Sequence, residues 1–324
     1  MIRGNLFDQS LQAPTDEFAW EFPAPGQLGP AEIDFLINPR RLRGSDFLMR
    51  WAQGRWSEEI VVRAINQTNR IGVLPYGPST IAPDDPKALE MFFEKMDAMA
   101  SEGKRPDLLL YDQTTFEWAR HELDERLGGV EKMAETPTSV VHDVVAKARA
   151  ALEVENSLWV TEKMPGFGKP FLRYVRGRRQ GRLKAPGIVP TVIVKEEDVP
   201  RLKAWEAKYK VPIYVVQIFY DRGYFIKFSE VLALLKSGEV EMETQRYSNP
   251  GGEAASPKQI VKVPYIFCKE FGTVSGPTLV PKTFVDKNGE VMTYVTFSGG
   301  DIQLSQHVLD EWSMGSPKIG RTVA

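Results

Sequence analysis

The stretch Leu152-Glu-Val-Glu-Asn-Ser157, LEVENS, alternates apolar and acidic residues with the period of a β-strand. Residues two apart in a strand share a face, so Glu153 and Glu155 would stand together with their carboxylates close. Like charges at that spacing repel and disfavour ionisation. Such a pair either lines the solvent face of an edge strand, opposite lysines, or is held together for a purpose.

The flanking sequence places LEVENS in a sheet. Upstream, RPDLLLYD (105–112) is a short, strongly apolar strand, and Pro106 suits the position just before it, so Asp107 stands at the mouth of a buried element. Downstream, PIYVVQIFY (212–220) is apolar or aromatic almost throughout, as a central strand covered on both faces would be. Between them, TVIVK (191–195) reads as a strand and the following segment as a helix, with Asp198 and Pro200 at its start and Leu202 and Trp205 on one side. Residues 116–150 read as two helices broken at Gly128-Gly129. The order predicts an α/β fold, a mixed sheet flanked by helices. Further helices are expected at WSEEIVVRAINQT (56–68), with Ser57 as N-cap, and at 86–103, where Leu89, Phe92, Met96 and Met99 form a packing stripe. The last third is β-rich, with Asn288-Gly289 marking a tight hairpin and HVLDEW (307–312) a short helix. Three regions result: an irregular N-terminal arm (1–53), a core (54–236) and a β-rich C-terminal region (237–324) that can be continuous with the core.

Composition narrows the chemistry. The chain has 324 residues, a net charge of −2 and one cysteine, Cys268. A single cysteine excludes an internal disulfide and a cysteine zinc cluster, and suits a reducing cytoplasm. Cys268 lies in the apolar run VPYIFCKEF, where an inert core thiol is expected. His121, His142 and His307 have no ligand spacing. No run is long enough to cross a membrane, and the opening residues lack the apolar centre of a signal peptide.

If the strands bearing Asp107 and Glu153-Val-Glu155 are neighbours, three carboxylates converge. A divalent cation would relieve their repulsion, and oxygen ligands suit Mg²⁺. Glu58 falls among Val61, Val62 and Ile65 on a helical wheel, so it either needs a partner or serves as a first-turn acid. The run RYVRGRRQGRLK carries Arg173, Arg176, Arg178, Arg179, Arg182 and Lys184 with no acid among them. It reads as a flexible loop, either solvated or placed against nucleic-acid phosphates.

The ordered blocks GRWSEE, LPYGPS, GKRPDLLLYD, EVENSLW and VKEEDVPRLKAWEAKYKVPIYVVQIFYD resemble those of type II restriction endonucleases with the PD-(D/E)xK motif, most like the AccI-type family. The resemblance implies a restriction-endonuclease-like fold and Mg²⁺-dependent hydrolysis of double-stranded DNA at a specific site. It also implies a homodimer and a cognate DNA methyltransferase as system partner rather than subunit. Asp107 and Glu153 would bind metal, with Glu58 completing the site. Glu155 would orient or deprotonate the attacking water, and Lys195 and Gln217 would support the site or contact DNA. One departure stands out: Glu155 occupies the place of the motif's usual lysine. That leaves room for a nuclease-like fold that binds DNA without cutting. A glycosidase using Glu153 and Glu155 is disfavoured, because the pair is too close and the arginine run would go unexplained.

Overall fold

The computed structural model describes residues 45–77, 103–176, 179–245, 258–285 and 291–313. Residues 1–44 of the expected N-terminal arm, residues 86–102 of the expected helix, Arg178 and the Asn288-Gly289 turn lie outside these segments, whereas residues 45–53 of that arm are helical rather than irregular. In chain order the elements are α1 (Ser45–Asn66), β1 (Ile71–Pro75), β2 (Leu108–Asp112), α2 (Gln113–Leu127), α3 (His142–Ala146) and β3 (Ala150–Asn156). Next come β4 (Leu172–Arg176), β5 (Arg179–Lys184), β6 (Thr191–Lys195), α4 (Val199–Tyr209), β7 (Ile213–Ile218), β8 (Arg222–Lys227) and α5 (Phe228–Ser237). The chain continues through β9 (Met242–Gln245), β10 (Lys258–Pro264), β11 (Lys269–Ser275), β12 (Thr278–Val285), β13 (Val291–Ser298), β14 (Asp301–Leu304) and α6 (Gln306–Ser313).

A seven-stranded sheet in the order β1-β2-β3-β7-β8-β11-β14 forms the centre. It is mixed: β3 and β7 run parallel, and every other neighbouring pair is antiparallel. The parallel pair demands a long crossover. Residues 157–212 supply it, through the β4–β5 hairpin, β6 and α4. All six residues of β7 are buried, as its unbroken apolar run requires of a central strand.

Strand alternation divides the core into two layers. On one face Leu109, Tyr111, Ala151, Ile213 and Val215 pack with Phe116 and Leu123 of α2, Leu202 and Trp205 of α4, and Val231 of α5. Val192 and Val194 of β6 and Val261 and Val263 of β10 close that layer from a separate three-stranded sheet, β6-β10-β9. On the other face Leu108, Leu110, Leu152, Val154 and Val216 pack with Trp56, Ile60, Val61 and Ile65 of α1 and with Trp312 of α6. The ring of Trp312 meets Phe225, Phe271 and Tyr214 at centroid separations of 5.3 to 5.8 Å. The β-rich last third therefore contributes β11 and β14 to the central sheet as well as a covering helix.

Several local expectations change. Ser57 does not cap α1, which starts twelve residues earlier at Ser45; its hydroxyl instead donates to the Gly54 carbonyl at 2.7 Å, the back-bond of a mid-helix serine. Glu58 is thus not a first-turn acid, and the helix dipole does not account for it. The arginine run is a β4–β5 hairpin rather than a loop, paired from Leu172↔Lys184 to Arg176↔Arg179. Cys268 follows a 3₁₀ turn at Tyr265–Phe267, and burial pushes its thiol well above the usual range, which disfavours the reactive thiolate. Elsewhere the expected signals operate. Asp112 caps α2 by accepting from the Thr115 amide at 2.9 Å, and Gly128 ends that helix at φ 76°. β12 and β13 pair up to Val285↔Val291, flanking the Asn288-Gly289 position.

Gly72 of β1 faces α2, where a Cβ would collide with the Phe116 ring. Gly72→Ala should lower stability by about 1–3 kcal/mol, the usual cost of overpacking a core. Thermal melts should also show partial recovery when Phe116→Leu is added.

Candidate active site

The first functional carboxylate is fixed through its backbone. Asp107 precedes β2, and its carbonyl accepts from the Tyr76 and Gly77 amides at 2.8 Å each. This approach requires glycine at 77, since a Cβ there would stand 2.7 Å from Asp107 Cα. The antiparallel register sets Leu108 opposite Leu152, so Asp107 and Glu153 follow one step beyond on the adjoining strands. Asp107 Oδ2 accepts the Val154 amide at 2.7 Å, which ties the mouth of β2 to β3.

Parity puts the expected residues on one face. Asp107 alternates with Leu109 and Tyr111, and Glu153 and Glu155 alternate with Ala151, all on the layer packed by α2 and α4. Glu58 is buried on α1, the helix covering the opposite face, next to Ser57, whose hydroxyl lies 3.4 Å from Asn156 Nδ2 of β3. The structure thus gathers Asp107, Glu153 and Glu155 on one side and carries Glu58 from the other.

Two lysines answer these acids. Lys104 Nζ contacts Glu153 Oε1 and lies 3.2 Å from Asp198 Oδ2. Lys195 Nζ, from the end of β6, lies 3.0 Å from Glu155 Oε1. Asp198 is buried at the start of α4 but makes no side-chain cap bond; its carboxylate serves Lys104 instead. Sequence inspection missed Lys104 and gave Asp198 only a helix-start role. The signal available was that Lys104 stands three residues ahead of Asp107 within a quoted block.

Four carboxylates thus share two ammonium groups, and Glu153 bears the consequence. Burial, then the nearby Asp107 charge, with Glu155 adding to both, pushes its carboxyl well above the usual range against the pull of Lys104. Burial works against the Lys104 ammonium too, but Glu153, Asp107 and Asp198 outweigh it and keep it charged. Glu155 raises the Lys195 proton affinity, in part against burial and Lys104.

Among the described residues no three acidic, histidine or cysteine side chains surround one point as a ready-made metal cage. The donor set nonetheless fits a hard cation. Glu153 is only 5% exposed, and its Oε2 is buried with no hydrogen-bond partner, which is costly for a carboxylate oxygen unless a cation or water meets it. Gln217, in register with Glu155 across β3 and β7, is fully buried. Its Oε1 accepts the Ile193 amide of β6 at 3.2 Å, and its Nε2 has no partner.

Of the basic run, Arg173 is engaged within the protein. Arg173 Nη1 lies 2.9 Å from Glu239 Oε1, an acid supplied by the segment after α5. Glu239 also accepts the Leu183 amide, so it staples the hairpin. Lys184 is exposed, and Arg176, Arg179 and Arg182 lie on the two hairpin strands.

A buried carboxyl with a raised folded-state pKa makes the fold less stable as pH rises above the unfolded value and through the folded one. Glu153→Gln should therefore melt at higher temperature than the wild type at pH 8, without divalent cation. The gain should shrink as pH falls toward the ordinary glutamate range, as scanning calorimetry across pH would show.

Residues 37–166 match the family model described as AccI restriction endonuclease, a segment that contains Glu58, Lys104, Asp107, Glu153 and Glu155. No curated protein and no solved structure matches the chain. The match supports, over residues 37–166, the resemblance to AccI-type restriction endonucleases read from the sequence blocks.

Proposed function

We propose that this protein is a type II restriction endonuclease that hydrolyses phosphodiester bonds in double-stranded DNA at a specific sequence, with Mg²⁺ as cofactor and a PD-(D/E)xK site on a restriction-endonuclease-like fold. The observation carrying the proposal is the pairing of Asp107 and Glu153 at the β2–β3 junction, with a buried, unpartnered Glu153 oxygen, inside the family-matched segment.

Asp107 and Glu153 would hold the cation, with Glu58 as a further ligand approaching from α1. Bound there, Mg²⁺ would polarise the phosphate and acidify a coordinated water. The remaining tasks belong to the chain. Glu155, held on Lys195, would orient the attacking water and take its proton. Lys195, which is 41% exposed at its side chain, would also meet a DNA phosphate at the rim of the site while paired with Glu155. The β4–β5 hairpin, with Arg173, Arg176, Arg178, Arg179, Arg182 and Lys184, would follow the DNA backbone, where arginine and lysine contacts fix register. Each chain would carry one such site, so a two-fold homodimer would cut both strands of a palindrome. A methyltransferase protecting the host sequence, and action in the cytoplasm, complete the reading.

The lysines seated on Glu153 and Glu155 favour a second reading, a DNA-binding protein with the same fold that does not cut. Incubation with plasmid separates the two. Discrete fragments that require Mg²⁺ support the enzyme, whereas a retarded band without cleavage supports the binder. In the enzyme, Asp107→Ala and Glu153→Ala should each reduce cleavage by more than the ~10–100-fold typical of residues outside a metal's first shell. Both should retain specific retardation of DNA. Cutting preserved in either variant overturns the assignment of these ligands.

A further inference from the structure

The proposed chemistry gives Lys104 no task, yet Lys104 is the more enclosed of the two lysines paired with the site's acids. Its side chain is 21% exposed, half the 41% of Lys195. Its ammonium touches Glu153 Oε1 and sits 3.2 Å from Asp198 Oδ2. It therefore stands against the carboxylate that would be the central cation ligand. It also satisfies only one of the two Glu153 oxygens, leaving Oε2 buried and unpartnered in a residue 95% removed from solvent. One ammonium is thus a partial substitute for an ion able to bind several oxygens at once.

Asp198 has the second half of the arrangement. It is buried, it is the residue before α4, and its carboxylate faces Lys104 rather than the helix amides, its backbone already being helical in the preceding 3₁₀ turn. Lys104 thus bridges Glu153 and Asp198 from a single position, and rotations of its flexible side chain can carry it off Glu153 while keeping it on Asp198.

Resting on the metal-site reading above, we propose that Lys104 is a resident counter-cation: its ammonium competes with the divalent cation for Glu153 and shifts onto Asp198 when that cation enters. An ammonium and a divalent ion cannot share one carboxylate at contact distance without strong repulsion. In the free protein Lys104 keeps the buried acids together and holds the cation affinity down. Lys195, committed to Glu155 at the more open rim, does not do this.

Titration calorimetry of the full-length protein with Mn²⁺, in the absence of DNA, tests the idea. Lys104→Met should bind Mn²⁺ roughly tenfold or more tightly than the wild type, because a competing positive charge is gone. Asp198→Asn should bind more weakly than the wild type, since the displaced ammonium loses its second partner. Glu153→Gln should abolish binding in both backgrounds. Thermal melts establish that each variant is folded, and Asp198→Asn carries the test alone if Lys104→Met is not. If Glu153→Gln still removes binding but Lys104→Met is no tighter than the wild type, or Asp198→Asn no weaker, the counter-cation role is overturned and the metal site stands. If no folded form binds Mn²⁺, the metal site and this role fall together.

Discussion

The hydrogen bond from the Val154 amide to Asp107 Oδ2 joins the two strands on which the site depends. It exists because the β2–β3 register puts Leu108 against Leu152, and because Gly77 allows the chain after β1 to lie on the Asp107 backbone. Side-chain direction alternates along each strand, so a slip of one residue would exchange the faces. Glu153 and Glu155 would then enter the apolar layer under α1 and α6, and Leu152 and Val154 would replace them. Two rows of large apolar side chains forbid that slip. The core thereby imposes the closeness of acids whose own repulsion opposes it.

That repulsion is placed where the sheet tolerates it. The three acids lie at one end of the strands, at the start of β2 and the last turns of alternation in β3, rather than in the middle of the sheet. Beside them run the carboxyl ends of the one parallel pair, β3 and β7, the position where open α/β sheets present their ligands. Among the described residues, buried polar atoms without partners include Tyr220 Oη and Trp312 Nε1 in the opposite layer, and Glu153 Oε2 and Gln217 Nε2, which face this region. The latter two lie where a ligand can relieve them, a common trade between stability and function.

Much of this was legible in the sequence, for physical reasons particular to each residue. β3 declared itself by alternation and β7 by an unbroken apolar run, because one strand has a polar patch on one face and the other is buried on both. Pro106 marked the start of β2 because a proline has no amide to give to a ladder. The start of α1 was misread because Ser57-Glu58-Glu59 has the composition of a capped first turn, while burial of Trp56 and Met49 extends the helix upstream. The arginine run looked like a loop because glycine and charge hide a ladder whose pairing depends on a partner strand. Its compensating acid, Glu239, is over fifty residues away and invisible to any local window. Lys104 carried only a weak local signal, its place three residues ahead of Asp107, since a lysine between Gly103 and Arg105 reads as ordinary loop charge until the fold sets it against Glu153.

The position of Glu155 shows why spacing motifs and charge arrangements need not coincide. A lysine two residues after an acidic ligand is one way to place an ammonium at the end of a strand, since both side chains then share a face. Here Glu155 takes that place, and the ammonium comes from Lys195 on a strand of a different sheet. The delivery is not accidental to the fold. The crossover that makes β3 and β7 parallel must pass over the face carrying the acids, and β6 is part of it. Gln217 fixes its height by accepting the Ile193 amide, and Ile193 lies two residues before Lys195 on the same strand. Two residues along β6 is about 7 Å, and two residues along β3 separate Glu153 from Glu155. The Gln217 tether therefore sets the register in which a lysine from outside the motif meets the carboxylate that displaced one from inside it.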